Sequence, residues 1–289
     1  MELFLDCLPC LLRQVLEAAR MASDDEAVQS RIMDDAVATL ARHGEFATAP
    51  AMAAEMHALV RRHTGVDDPY AAIKARDLAG ALRLVPLLER FVAEAAEPLA
   101  AALKVSATGN VMDSAIYADL DIEAVVQGEL ERPFAVADVE PLRAALGGGG
   151  TVLVIGDNAG EAVFDTLLLR ELARDHEVAF AVRGRPIIND VTLAEARTAG
   201  VDRHARVVAS GSGAPGLILA DADREFRELF DSADVVLSKG QGNFEALSDA
   251  PREVFFLLKA KCAKIGHALD VPVGAYVLRM HAPTGVVTR

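Results

Sequence analysis

The sequence predicts an α/β fold, a Rossmann-like and mostly parallel sheet preceded by a helical N-terminal domain. Three observations carry this reading. Four consecutive glycines at 147–150 divide the chain into two composition regimes. Before them the chain is Ala-rich and its apolar residues recur at helical spacing; after them short β-branched runs alternate with helical stretches, the rhythm of parallel strands joined by crossover helices. The expected division is a helical domain over 1–147 and a Rossmann-like core over 148–289, with the glycines as hinge.

The elements follow in order. CLLRQVLEAARMA repeats apolar residues at helical spacing, and Ser23-Asp24-Asp25-Glu26 signals the start of a second helix running toward Gly44. Further helical patterns cover 49–62 and 70–103, the latter with expected breaks near Pro86 and Pro98. Beyond the glycines, TVLVIG at 151–156 is the kind of run found in buried parallel strands. Strand patterns recur at 177–184, 206–210, 234–240, 254–259 and 275–280. Helical patterns separate them at 161–173, 192–198 and 223–230, from Asn243 onward, and through Leu269.

Composition narrows the function classes. The chain has 289 residues, 52% apolar and 25% charged, enough to bury a sizeable core and too ordered in character for a disordered or disulfide-framework protein. The formal net charge of −14 argues against nucleic acid as partner, since phosphate backbones are met by clustered Lys and Arg. An anionic substrate would need positive charge supplied locally. The longest uncharged run, 207–220, has 14 residues and is too short to span a bilayer, and the start lacks the features of a signal peptide. A cytoplasmic location away from membranes is expected.

In an open parallel sheet ligands bind beyond the carboxyl ends of the strands. Four of these tips are polar: GDNAGE at 156–161, RGRPIIND at 183–190, SGSG at 210–213 and SKGQGN at 238–243. Asp157, Asn158 and Asp190 are hard oxygen donors, suited to a divalent ion such as Mg²⁺ or Mn²⁺. Lys239 adds a point charge for a phosphate oxygen, and the segments beginning at Ser210 and ending at Asn243 offer backbone N–H groups. These are the parts of metal-assisted phosphoryl transfer to water. The structural alternative is that Asp157 and Asp190 are helix N-caps. Dinucleotide binding fits poorly, because GDNAG places an acid where G-x-G-x-x-G needs glycine, and a G-x-x-x-x-G-K-[ST] loop is absent.

At these residues the chain resembles the metal-dependent damage-control phosphatases, long catalogued as domain of unknown function number eighty-nine. The resemblance rests on CLPCLLRQ, GDNAGEAVFD, RGRPIINDVT and SKGQGNFEAL, supported by GNVMD at 109–113 and LLKAKC at its end, Cys262. The Cys-Pro-Cys start is similar to the prokaryotic branch, with Ala263 and Ala115 departing from the usual proline and glycine. The resemblance implies a metal (Mg, Mn, Co or Ni) held by Asp157, Asn158 and Asp190, a phosphate contact from Lys239, and a small phosphorylated metabolite as substrate. Asp157 and Lys239 are thus the expected catalytic pair, with water on the metal or Asp157 itself as nucleophile.

Ser210, Arg183 and Asn243 are expected at the substrate, with Asn110 and Asp113 reaching across from the helical part; Glu161 is either a supporting acid or a structural first-turn residue. The rival functions are an S-adenosylmethionine-dependent carboxyl methyltransferase, described for a relative, and a non-catalytic metal- or nucleotide-binding module. Cys7, Cys10 and Cys262 read as buried thiols, with redox or metal use as the alternative.

Overall fold

The computed structural model describes residues 1–113 and 122–282. Seven strands form one sheet in the order β1-β7-β6-β5-β2-β3-β4. The strands are β1 Phe134–Ala137, β2 Thr151–Ile155, β3 Glu177–Val182, β4 Arg206–Ala209, β5 Val235–Lys239, β6 Val254–Lys259 and β7 Tyr276–His281. All neighbours pair in parallel except β6 and β7, whose backbones run antiparallel. From β2 the chain winds outward through β3 and β4, then returns to place β5 on the other side of β2. This reversal opens a crevice at the carboxyl ends of β2 and β5, the position where open α/β sheets bind ligands.

Both faces of the sheet are covered, which is why its strands read as continuous apolar runs. On one face pack α4 Ala71–Glu94, α5 Pro98–Thr108 and α8 Glu161–Leu172, in a core that includes Leu88, Leu103, Phe164 and Phe180. The other face carries α10 Arg224–Ser232, α11 Gln241–Leu247 and α12 Ala263–Leu269 over Phe230, Phe244 and Phe256. The first three helices, α1 Cys7–Ala22, α2 Glu26–Leu40 and α3 Ala49–Thr64, enclose a third and separate core built on Val15, Ile32, Met52 and Met56.

Several expectations shift. Pro86 sits inside α4 without ending it, whereas Pro98 opens α5, the first-turn position where its missing N–H costs nothing. The second helix is capped by Asp25, whose carboxylate accepts from the Ala27 N–H at 2.8 Å. Strand β1 and helix α7 Val139–Leu146 precede the glycines yet belong to the sheet, and one apolar core runs across residue 147. The glycines make a tight entry to β2: Gly150 has φ +94°, and a Cβ there would lie 2.1 Å from the Asp234 carboxylate that accepts from the Thr151 N–H. Among the described residues no helix is long and apolar enough to cross a membrane.

Candidate active site

Beyond the ends of β2 and β3 two loops are stitched together. Asn158 and Asp190 form an isolated antiparallel bridge, the Val191 N–H donates to the Asp157 carbonyl at 2.8 Å, and the Ala159 N–H donates to the Asn189 carbonyl at 2.8 Å. The price of this stitching falls on Ile188, a β-branched residue held at φ +45°, a strained conformation of the kind that gathers at functional loops. Neither acid caps a helix as the structural alternative required. Helix α8 follows Gly160 without a side-chain cap, and α9 Leu193–Ala199 is capped by Thr192 with Glu195.

Asp157, Asn158 and Asp190 all face one cavity of about 490 Å³. Its opposite wall comes from Phe4 ahead of α1, Leu11 of α1, and Pro50 and Ala53 of α3, so the helical cap roofs the strand tips. Behind the carboxylates lies Arg183, nearly inaccessible to solvent. Its Nε donates to Asp190 Oδ2 at 2.6 Å, and one Nη stands 3.8 Å from Asp157 Oδ1. Two carboxylates thus share one guanidinium beside the cavity that their residues line. The neighbouring loop makes room for them: Gly240 has φ +79°, and a Cβ on it would approach Asp157 Oδ2 to 2.0 Å. The buried Asn158 Nδ2 has no hydrogen-bond partner among the described residues. The donor set and its geometry fit a divalent cation on two carboxylates and an amide oxygen. No group of three or more His, Cys, Asp or Glu suited to a metal exists among the described residues.

Five of the expected substrate contacts do not line this cavity. Lys239 is 0% exposed, with its ammonium on Glu161 Oε1 and Asp165 Oδ1 at 2.5 Å each and on the Ser106 carbonyl at 3.2 Å. All three donors are therefore spent inside the protein, correcting the expectation of a phosphate contact. Burial disfavours the charge on Lys239, but Asp165 and Glu161 outweigh it and raise the ammonium pKa above the ordinary lysine range. Burial likewise pushes the Glu161 carboxyl up, against the pull of Lys239.

Arg183 is corrected from substrate contact to support of Asp190. Asn243 is corrected to a structural tie, donating to the Gly156 and Lys239 carbonyls and accepting from the Leu217 N–H. Ser210 is buried, its Oγ without a partner among the described residues, and its backbone joins β4 to the sheet and to Asp223. Asn110 is buried in the short turn Gly109–Asp113, which presses on α8: a Cβ at Gly109 would come within 2.9 Å of Glu161 Cγ. Asp113 ends that turn, and its side chain, like Ala115, lies outside the described residues.

What the sequence reading missed is the tip of β6. Lys261 and Lys264 are the lysines that line the cavity, together with Cys262 and Ala263, and Lys264 contacts Asp6 of the cap at 3.3 Å. KAKC stands directly after a strand, so the rule applied to the other four tips would have found it. The cysteines are not buried: Cys10 and Cys262 are exposed and Cys7 is half-buried.

Residues 3–277 match the model of the damage-control phosphatase ARMT1-like domain. A damage-control phosphatase of Archaeoglobus fulgidus is 35% identical over 95% of this chain and 97% of its own length, and one from Pyrococcus horikoshii is 33% identical over 96% and 97%. The crystal structure of a family-eighty-nine protein from Pyrococcus horikoshii superimposes with a TM-score of 0.90 at 31% identity, covering 97% of this chain and 99% of that one. These relatives support a phosphatase acting on phosphometabolites and do not favour the methyltransferase alternative. The chain belongs to the damage-control phosphatase ARMT1-like family.

Proposed function

We propose that this protein hydrolyses small phosphate monoesters with a divalent cation held by Asp157, Asn158 and Asp190. The observation that carries the reading is the convergence of these three oxygen donors on one cavity, at the reversal of strand order, with Arg183 fixing the carboxylates from behind. A divalent cation supplies Lewis-acid polarisation of phosphoryl oxygens, the chemistry the acidic chain otherwise lacks at this point.

The chain's own residues do the rest. Arg183 holds Asp190 and faces Asp157, so both carboxylates are oriented before substrate enters. Lys261 and Lys264 are the lysines placed to meet the anionic ester, a role first expected of Lys239. The apolar wall of Phe4, Leu11, Ile188, Pro215 and Ile265 excludes water from the reacting centre and receives the organic part of the ester. Lys239, Glu161 and Asp165 form the rigid floor under the β5 tip, which holds Gly240 against Asp157.

The deciding experiment removes metal with a chelator and follows phosphate release from a panel of sugar phosphates, nucleotides and phosphopantetheine. Turnover should return only with Mg²⁺, Mn²⁺, Co²⁺ or Ni²⁺ and vanish in Asp157→Ala. Metal-independent turnover that survives this substitution would overturn the reading, and binding without turnover across the panel would favour a non-catalytic module.

A further inference from the structure

The three cysteines of the chain gather on the cavity from opposite sides. Cys7 and Cys10 belong to α1 of the cap, Cys262 immediately precedes α12 of the core, and all three line the cavity that holds Asp157 and Asp190. Side chains link the two segments that carry them. Asp6 Oδ2 lies 3.3 Å from Lys264 Nζ, and the same ammonium stands 5.5 Å from the centre of the Phe4 ring. Residues 4–7 therefore lie along residues 262–264, bringing the CLPC turn to the KAKC turn. The thiols are free.

Their environments differ in a way that divides the chemistry. Cys262 is exposed and lines the cavity beside Lys261 and Lys264. Burial pushes the Cys7 thiol up, and Glu245, Cys262 and Cys10, which line the same cavity, add to the rise. The exposed and the half-buried thiol thus border one opening. The cap has its own hydrophobic core, onto which Ile188 of the β3 loop packs.

We propose that Cys262 and the Cys7–Cys10 pair form an oxidation site, in which a disulfide between core and cap fastens α1 across the mouth of the cavity. The oxidant is a hydroperoxide such as hydrogen peroxide. The Cys262 thiolate attacks one peroxide oxygen, the O–O bond breaks, and hydroxide leaves, taking a proton to become water and leaving a sulfenic acid. A cap thiol then attacks that sulfur, forming the S–S bond and releasing a second water. The net change is two thiols and one peroxide to one disulfide and two waters, and a dithiol reductant reverses it by exchange. A crosslink at this place closes the route to Asp157, Asn158 and Asp190, and that consequence rests on the phosphatase reading.

The test uses the full chain treated with hydrogen peroxide, followed by non-reducing peptide mapping by mass spectrometry. The expected result is a linked pair joining the peptide of Cys262 to that of Cys7 or Cys10, lost on treatment with dithiothreitol and absent in Cys262→Ser. Phosphate release by the oxidised wild type, normalised to its reduced form, should fall at least tenfold, and the same ratio should stay near one in Cys262→Ser. A Cys7–Cys10 disulfide alone, or Cys262 recovered only as a thiol or a higher oxide, would overturn the proposal. The peptide map is read without turnover, so it separates failure of the crosslink from failure of the phosphatase reading.

Discussion

Two neighbouring strand tips teach the most about this molecule. Strands β2 and β5 lie side by side, and each ends in charged residues that look equally functional in the sequence. At β2, Asp157 and Asn158 open onto the cavity; at β5, Lys239 turns inward and is sealed between Glu161 and Asp165 of α8. The difference is one of partners. Asp157 lines the cavity with the Arg183 guanidinium 3.8 Å away, whereas Lys239 meets two carboxylates at 2.5 Å and a carbonyl. A charge whose hydrogen bonds are all made inside the protein stabilises the fold, and one that borders a cavity is available for a ligand.

Substitutions at the two tips should therefore separate activity from stability. The largest effect is expected of Asp157→Ala, a loss of about 10³-fold in metal-dependent phosphate release with a near-unchanged melting temperature. Equal loss of thermal stability would erase the distinction between the tips. Lys239→Met should do the reverse, costing about 3–5 kcal/mol in denaturant unfolding because it strands two buried carboxylates. A stable Lys239→Met with weakened substrate binding would return Lys239 to the site.

Gly240→Ala tests the point where the tips meet. Its Cβ would drive into Asp157, so turnover should fall about 100-fold from a displacement of the order of 1 Å. Unchanged kinetics would show that Asp157 does not depend on the β5 loop. Arg183→Lys loses the planar fork beneath the carboxylates, and calorimetric titration with Mn²⁺ should report affinity weakened by about 10–100-fold.

The smallest effect belongs to the cap, away from both tips. Burial, with help from Arg61, brings the His57 pKa down to about 4. The unfolded chain then binds more protons than the folded one between pH 6.5 and 4, so stability falls as pH drops through that window. Acidification from pH 7 to 5 should cost roughly 2 kcal/mol through this group, and His57→Phe should flatten that part of the profile.

The order of elements, the sheet and the candidate metal donors were legible in the sequence because each is written in local pattern. Apolar runs, helical spacing and the polar residues after strands need no knowledge of distant partners. Strand β1 escaped because FAVA is short and half-buried at a sheet edge, with no periodicity to separate it from the helices around it. The antiparallel hand of β7 depends on which neighbour it reaches, and its own residues do not encode that choice. Lys239, Arg183 and Asn243 stand out in the sequence, and the partners that hold them inside the protein do not. A buried lysine beside glycine reads alike whether it awaits a phosphate or two carboxylates from a helix more than seventy residues away.

By itself, then, the sequence determined the α/β class and the succession of strands and helices after 150, and it pointed to 157, 158 and 190 as candidate oxygen donors. Tertiary structure decided which charges face the cavity and which neutralise one another inside the protein. It also decided that the first three helices roof the strand tips, bringing Cys7 and Cys10 to the cavity wall that Cys262 shares. Backbone conformation and burial follow from near neighbours in the chain. Electrostatic pairing depends on separations of a few ångströms between residues far apart in sequence, and only the folded chain sets those separations.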